Sequence, residues 1–166
     1  MNVARHNTDF ALAGRDHAAL LGVPIIATEQ VPNRMGGTDP GLAALFPQGV
    51  HPIPKASFGC VECPDFIVDL KRIGAKQAVI VGIETHICVS QTALGLIDLG
   101  LQVTVCPDAV SARDLEMHKL GMERMRDAGA SPAHTEAVVY EWLETAENPL
   151  FKQALEIVKR FAPVNA

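Results

Sequence analysis

Apolar positions recur along the chain in two rhythms, one at helical spacing and one as short continuous runs. Residues 2–21 place Phe10, Leu12, Ala18 and Leu21 at helical spacing, and Gly22 stands where a helix cap belongs. Residues 23–27 form an apolar run that reads as a buried strand, with Pro24 tolerated near its start. Pro32, Gly36, Gly37 and Pro40 interrupt the pattern, so 29–41 reads as a long loop of the kind that carries function. Residues 51–54 are a weak strand candidate. Pro64 opens and Gly74 ends a helix over 64–73. Residues 77–82 are the clearest buried strand, followed by a helix over 86–99 capped by Gly100. The apolar run 101–106 predicts another strand, stopped by Pro107, and 115–128 a helix with Gly129 after it. The β-branched content of 135–140 predicts a last strand, and 151–161 an amphipathic helix.

Strands alternating with helices imply a parallel sheet covered by helices on both faces. Such sheets bind ligands beyond the carboxyl ends of their strands. The turns after Ala27, Pro54, Val81 and Cys106 therefore mark the edge where chemistry is expected. No repeat, low-complexity segment or linker divides the chain, so residues 1–166 are expected to form one domain.

Composition narrows the partners. Of 166 residues, 48% are apolar and 20% charged, which excludes a disordered chain. The 14 Lys+Arg against 19 Asp+Glu leave a net charge of −5, and Arg5, Lys55, Arg72 and Lys159 are scattered. Nucleic acid, which needs a basic field and usually stacking aromatics, is not an expected partner; only 5% of residues are aromatic. No run approaches the roughly 18 apolar residues of a spanning helix, so no membrane association is expected. Four cysteines are too few for a disulfide scaffold, and the expected compartment is the cytoplasm.

One cysteine stands out. The strand Ala78-Val79-Ile80-Val81 runs into Gly82-Ile83-Glu84-Thr85-His86-Ile87-Cys88-Val89. This puts Cys88 in the first turn of the following helix, where the helix dipole stabilises a thiolate and free N–H groups can cradle an oxyanion. A buried structural cysteine is the bland alternative.

The segment Gly82 to Val89 resembles the nucleophile motif of the isochorismatase-like (cysteine hydrolase) superfamily. The likeness continues through Gln91-Thr92-Ala93, Asp98-Leu99-Gly100 and Val105-Cys106-Pro107-Asp108-Ala109, and upstream through Thr28-Glu29-Gln30 and Lys55-Ala56-Ser57-Phe58. It is nearest to the short isochorismatase-domain proteins. The resemblance implies an α/β fold, three-layer αβα with a mostly parallel, Rossmann-like sheet. It also implies a hydrolase of a small-molecule, non-peptide C–N bond in which Cys88 forms a thioester that water then cleaves. Lys55 would help hold the thiol deprotonated. A cis peptide would join Ile83 and Glu84, and the N–H groups of Glu84 and Cys88 would form the oxyanion hole. Gln30, Phe58 and Thr85 are candidates for the substrate pocket, and the family implies a homo-oligomer, a dimer or larger. The nicotinamidases of this superfamily hold a metal through an Asp-x-His pattern, which this sequence lacks. No metal or cofactor is expected.

The family's third catalytic group is an aspartate on a first, central strand, and no such strand is present here. Asp9 and Asp16 lie inside the predicted first helix and do not replace it. Three readings of this gap stay open: a natural chain that starts further upstream, a rearranged sheet completed by another subunit, or a homologue that binds or oligomerises without catalysing. Cys60-Val61-Glu62-Cys63 adds a lesser alternative, a thiol redox pair at a helix start. His86 reads as a pocket or interface residue, and His118 and His134 as ordinary surface or cap residues.

Overall fold

The computed structural model describes residues 14, 16–44 and 46–161. Gly14 and residues 16–20 are helical and Leu21 is in a turn; the rest of the predicted first helix, with Asp9, lies outside the described residues. Thr28–Gln30 (β1) and Ile53–Lys55 (β2) pair in parallel, with Gln30 opposite Lys55. Two one-turn helices, Pro32–Met35 (α1) and Pro40–Ala43 (α2), shape the connection predicted as a loop. Pro64–Ile73 (α3) leads into Gln77–Ile83 (β3). A single wide π turn, Thr85–Val89, then runs into Ser90–Asp98 (α4). Gln102–Ser111 (β4), Leu115–Asp127 (α5) and Ser131–Pro132 (β5) follow, then Thr135–Leu143 (α6) and Phe151–Phe161 (α7).

The architecture is α/β with parallel sheets, as expected. Its sheet is in two pieces: β1 with β2, and β3-β4-β5 in that order. The edge of β1 away from β2 and the edge of β3 away from β4 carry no partner strand among the described residues. Residues 23–27, predicted as strand, carry no ladder, and pairing begins only where the Ala27 carbonyl accepts the Ile53 N–H at 2.9 Å. Val79, Val81 and Ile83, alternate residues on one face of β3, are exposed, Ile83 at 72%.

Two other expectations are corrected. Pro107 does not end β4. The ladder with β3 shifts register between Ile80 and Gly82, and the bulge opposite accepts a residue that has no N–H to donate. Gly82 takes φ 120° there, which side chains resist. Residues 135–140 are helix, not strand. Thr135, Val138 and Val139 are buried at i, i+3 and i+4, so packing outweighs the β-branched composition. The start of α6 is held by Asp108, whose carboxylate accepts the Thr135 N–H at 3.0 and 3.1 Å. His134 Nδ1 accepts that of Glu136 at 3.3 Å, the capping role foreseen for it.

Phe66 of α3, Ala93 and Leu96 of α4, Val103 and Val105 of β4 and Met125 of α5 form the main core. Burying a side chain such as Met125 contributes about 2 kcal/mol. Two contacts place the functional end. The 56–63 loop lies on α4, where the Cys60 N–H donates to Thr92 Oγ1 at 3.0 Å and Gly59 faces Gln91 Cβ. Helix α5 abuts the π turn so closely that a Cβ at Gly121 would stand 3.0 Å from His86 Cα and 3.1 Å from its N.

Backbone cannot yield as a side-chain tip can. Gly121→Ala is therefore expected to destabilise by about 1–3 kcal/mol and to change the alkylation rate of Cys88, both read by urea melts and thiol labelling. Asp114 caps α5 by accepting the N–H groups of Glu116 and Met117 at 2.9 and 3.2 Å. Asp114→Ala should cost about 1 kcal/mol, lowering the urea midpoint at constant m, with Cys88 reactivity unchanged.

Candidate active site

The turn after β3 carries a half-buried thiol. Glu84 is still extended (φ −94°, ψ 143°), and its carbonyl accepts the N–H groups of Ile87 at 3.1 Å and Val89 at 3.2 Å. Those bonds wind the chain into the wide turn that carries Cys88, a free and half-buried thiol. The Ile83–Glu84 peptide is cis, the same bond named from the resemblance.

Lys55 ends β2 and is 7% exposed. Its ammonium donates to Gln30 Oε1 at 2.6 Å, to the Ser57 carbonyl at 3.0 Å and to the Phe58 carbonyl at 2.9 Å. Three protons thus meet three neutral acceptors, which satisfies the donors without cancelling the charge. No hydrogen bond or ion pair joins Lys55 to Cys88 among the described residues. What connects them is the loop: it leaves Lys55, supplies two of its acceptors, and packs at Gly59 and Cys60 on the first turn of α4, directly after Cys88.

The three pocket candidates take different places. Gln30 spends both ends of its carboxamide, on Lys55 and, through Nε2, on the Ala56 carbonyl at 2.8 Å. Phe58 exposes its ring. Thr85 is fully buried, and its Oγ1 shares a 3.0 Å hydrogen bond with His118 Nδ1. That bond was not foreseen, because the partners lie 33 residues apart. Burial pushes the His118 pKa below the usual histidine range.

Around the turn, the Glu84 carboxylate lies 3.6 Å from His86 Nε2 and 3.7 Å from Arg113 Nη1. Glu84 Oε2, His86 Nδ1 and Ser90 Oγ are buried and have no hydrogen-bond partner among the described residues. Thr135 Oγ1, on α6, is the other buried polar side-chain atom of this kind among the described residues.

The other cysteines are differently placed. Cys60 and Cys63 are buried and free, in a turn closed by the Cys63 N–H on the Cys60 carbonyl at 2.9 Å, and Cys60 Sγ lies 3.5 Å from Thr28 Oγ1. Cys106 is buried in β4. Its pKa is pushed up to about 12, first by burial and then by the charges of Asp108 and Glu141, against a lowering contact with Thr135. Asp16 is on the helical segment and pairs with Arg160 at 3.7 Å, so it offers no carboxylate to Cys88. The described residues contain no group of His, Cys, Asp and Glu that could hold a metal ion, and no helix long and apolar enough to cross a membrane. A cavity of about 580 Å³ lined by Lys76, Gln77, Gly100 and Gln102 lies at the amino ends of β3 and β4, away from all these groups.

Residues 15–137 match the isochorismatase domain. Isochorismatase domain-containing protein 2A of Mus musculus is 38% identical over 146 residues, covering 88% of this chain and 69% of that protein. The structure of MAR1 ribonuclease from Caenorhabditis elegans superposes with a TM-score of 0.88 at 31% identity, covering 96% of this chain and 81% of that one. The YcaC gene product of Escherichia coli, an octameric hydrolase of unknown specificity, gives 0.87 at 26% identity over 96% of this chain and 78% of its own. A domain match over most of the chain, with a relative this similar, shows that the chain belongs to the isochorismatase domain family.

Proposed function

We propose that the chain hydrolyses a non-peptide, amide-type C–N bond of a small molecule, with Cys88 as nucleophile. The observation that carries this reading is the buried ammonium of Lys55, held by neutral acceptors alone, two of them on a loop packed against the helix that follows the thiol. A positive charge brought up to a thiol favours the thiolate over the thiol. The thiolate attacks the carbonyl carbon, and the N–H groups of Glu84 and Cys88 receive the oxyanion. Collapse expels the amine and leaves a thioester, which water cleaves to a carboxylate and the free thiol.

The leaving amine needs a proton, and the family resemblance assigns a general base, an aspartate, to the family's first strand. Among described carboxylates, Asp16 is paired with Arg160, and Glu84 lies between His86 and Arg113. This favours a second reading, a protein that binds the same ligands or oligomerises without turnover. The two are separated by whether ligand protection of Cys88 is accompanied by released amine. The ribonuclease name of the Caenorhabditis elegans neighbour does not transfer easily, since a net charge of −5 opposes a polyanionic substrate. The octameric Escherichia coli neighbour, with Leu115 and Leu120 exposed here, supports a homo-oligomer.

In a screen of small primary amides read by ammonia release, Cys88→Ala is expected to abolish turnover while the melting curve stays unchanged; retained turnover overturns the mechanism. In iodoacetamide labelling between pH 7 and 9, Cys88 should react fastest. Cys106, with its pKa near 12, should stay unlabelled in the native protein.

A further inference from the structure

Lys55 and Gln30 face each other across the parallel pair of β1 and β2, in register. Their contact is the shortest of the three that Lys55 Nζ makes, 2.6 Å against 3.0 and 2.9 Å. The other end of the Gln30 carboxamide donates to the Ala56 carbonyl, so one side chain fixes both the ammonium and the first residue of the loop that surrounds it. Strand alternation sends the neighbouring carboxylate away: Glu29 accepts from Thr38 N and Oγ1 at 2.9 and 3.0 Å. Position 30 thus holds the carboxamide counterpart of a glutamate. It is close enough to bind the ammonium and chemically unable to neutralise it.

We propose that Gln30 is a positioning residue for Lys55, fixing its ammonium in place through a neutral acceptor so that the positive charge stays available to the Cys88 thiolate. This rests on the reading that Lys55 acts on Cys88. Other charged groups near the two are Glu62 beside Gly59, and Glu84, His86, His118 and Arg113 around the π turn. None of them makes a hydrogen bond or ion pair with Lys55 among the described residues.

The test is the pH profile of Cys88 alkylation by iodoacetamide in the full chain, followed by peptide mass mapping. It compares the wild type with Gln30→Glu, Gln30→Met and Lys55→Met. Gln30→Glu keeps an acceptor for the ammonium but supplies a counter-charge. It is expected to raise the apparent pKa of Cys88 by about one unit, read as a roughly tenfold slower reaction below that pKa. Gln30→Met, which frees the ammonium without opposing it, should move the profile in the same direction by less. Lys55→Met should raise it as well. Cys106 that stays unlabelled in each variant reports an intact core. A profile shifted by Lys55→Met but unmoved by Gln30→Glu overturns the role of Gln30 and leaves the function standing. A profile unmoved by Lys55→Met overturns the action of Lys55 on Cys88, and this proposal with it.

Discussion

A lysine ammonium taken out of water and left without a counter-ion is the constraint around which this fold is arranged. Desolvating such a charge costs several kcal/mol even after relaxation, and hydrogen bonds must offset it. Here the offset comes from one carboxamide and two backbone carbonyls. Each acceptor demands something of the chain. Gln30 must lie opposite Lys55, which requires the parallel pairing of β1 and β2 in this register. The Ser57 and Phe58 carbonyls must turn inward, which requires the loop to be anchored beyond them, at Thr28 and at Thr92.

The thiol half of the site is made by a different device. The Glu84 carbonyl gathers two N–H groups of the π turn, and α5 presses on that turn at a position with no side chain. The shape of the turn is therefore imposed from behind, by helix packing. Hydrogen bonding secures the cation; steric fit secures the nucleophile.

How much of this could be read beforehand follows from the range of the forces involved. Cys88 was visible because an apolar run, a glycine and a helix start lie within a dozen residues. Pro64 and Gly74 bounded α3 for the same local reason. Lys55 was singled out only through family resemblance, since its burial depends on Gln30, 25 residues away. The pairing of Thr85 with His118 had no sequence signal at all. The misread elements share a cause: Pro107 in β4 and the β-branched start of α6 are both resolved by the bulge at Cys106–Ala109, where Asp108 reaches Thr135. That is a tertiary event which no local pattern encodes.

The division of the sheet has an energetic meaning beyond topology. Native proteins open in cooperative units whose stability follows the contacts each unit buries. The β1–β2 ladder spans three residue pairs, and the β3–β4 ladder is longer and lies in the main core. The cation thus sits on the shorter ladder, which is tied to the main core by Ile26 and Ile53, by the contact of Thr28 with Cys60 and by the bond of Cys60 to Thr92. A ligand that bridges the cation and the thiol would do more than occupy a site. It would add contacts between the short ladder and the long one, so that amide exchange in β1 and β2 slows when it is bound.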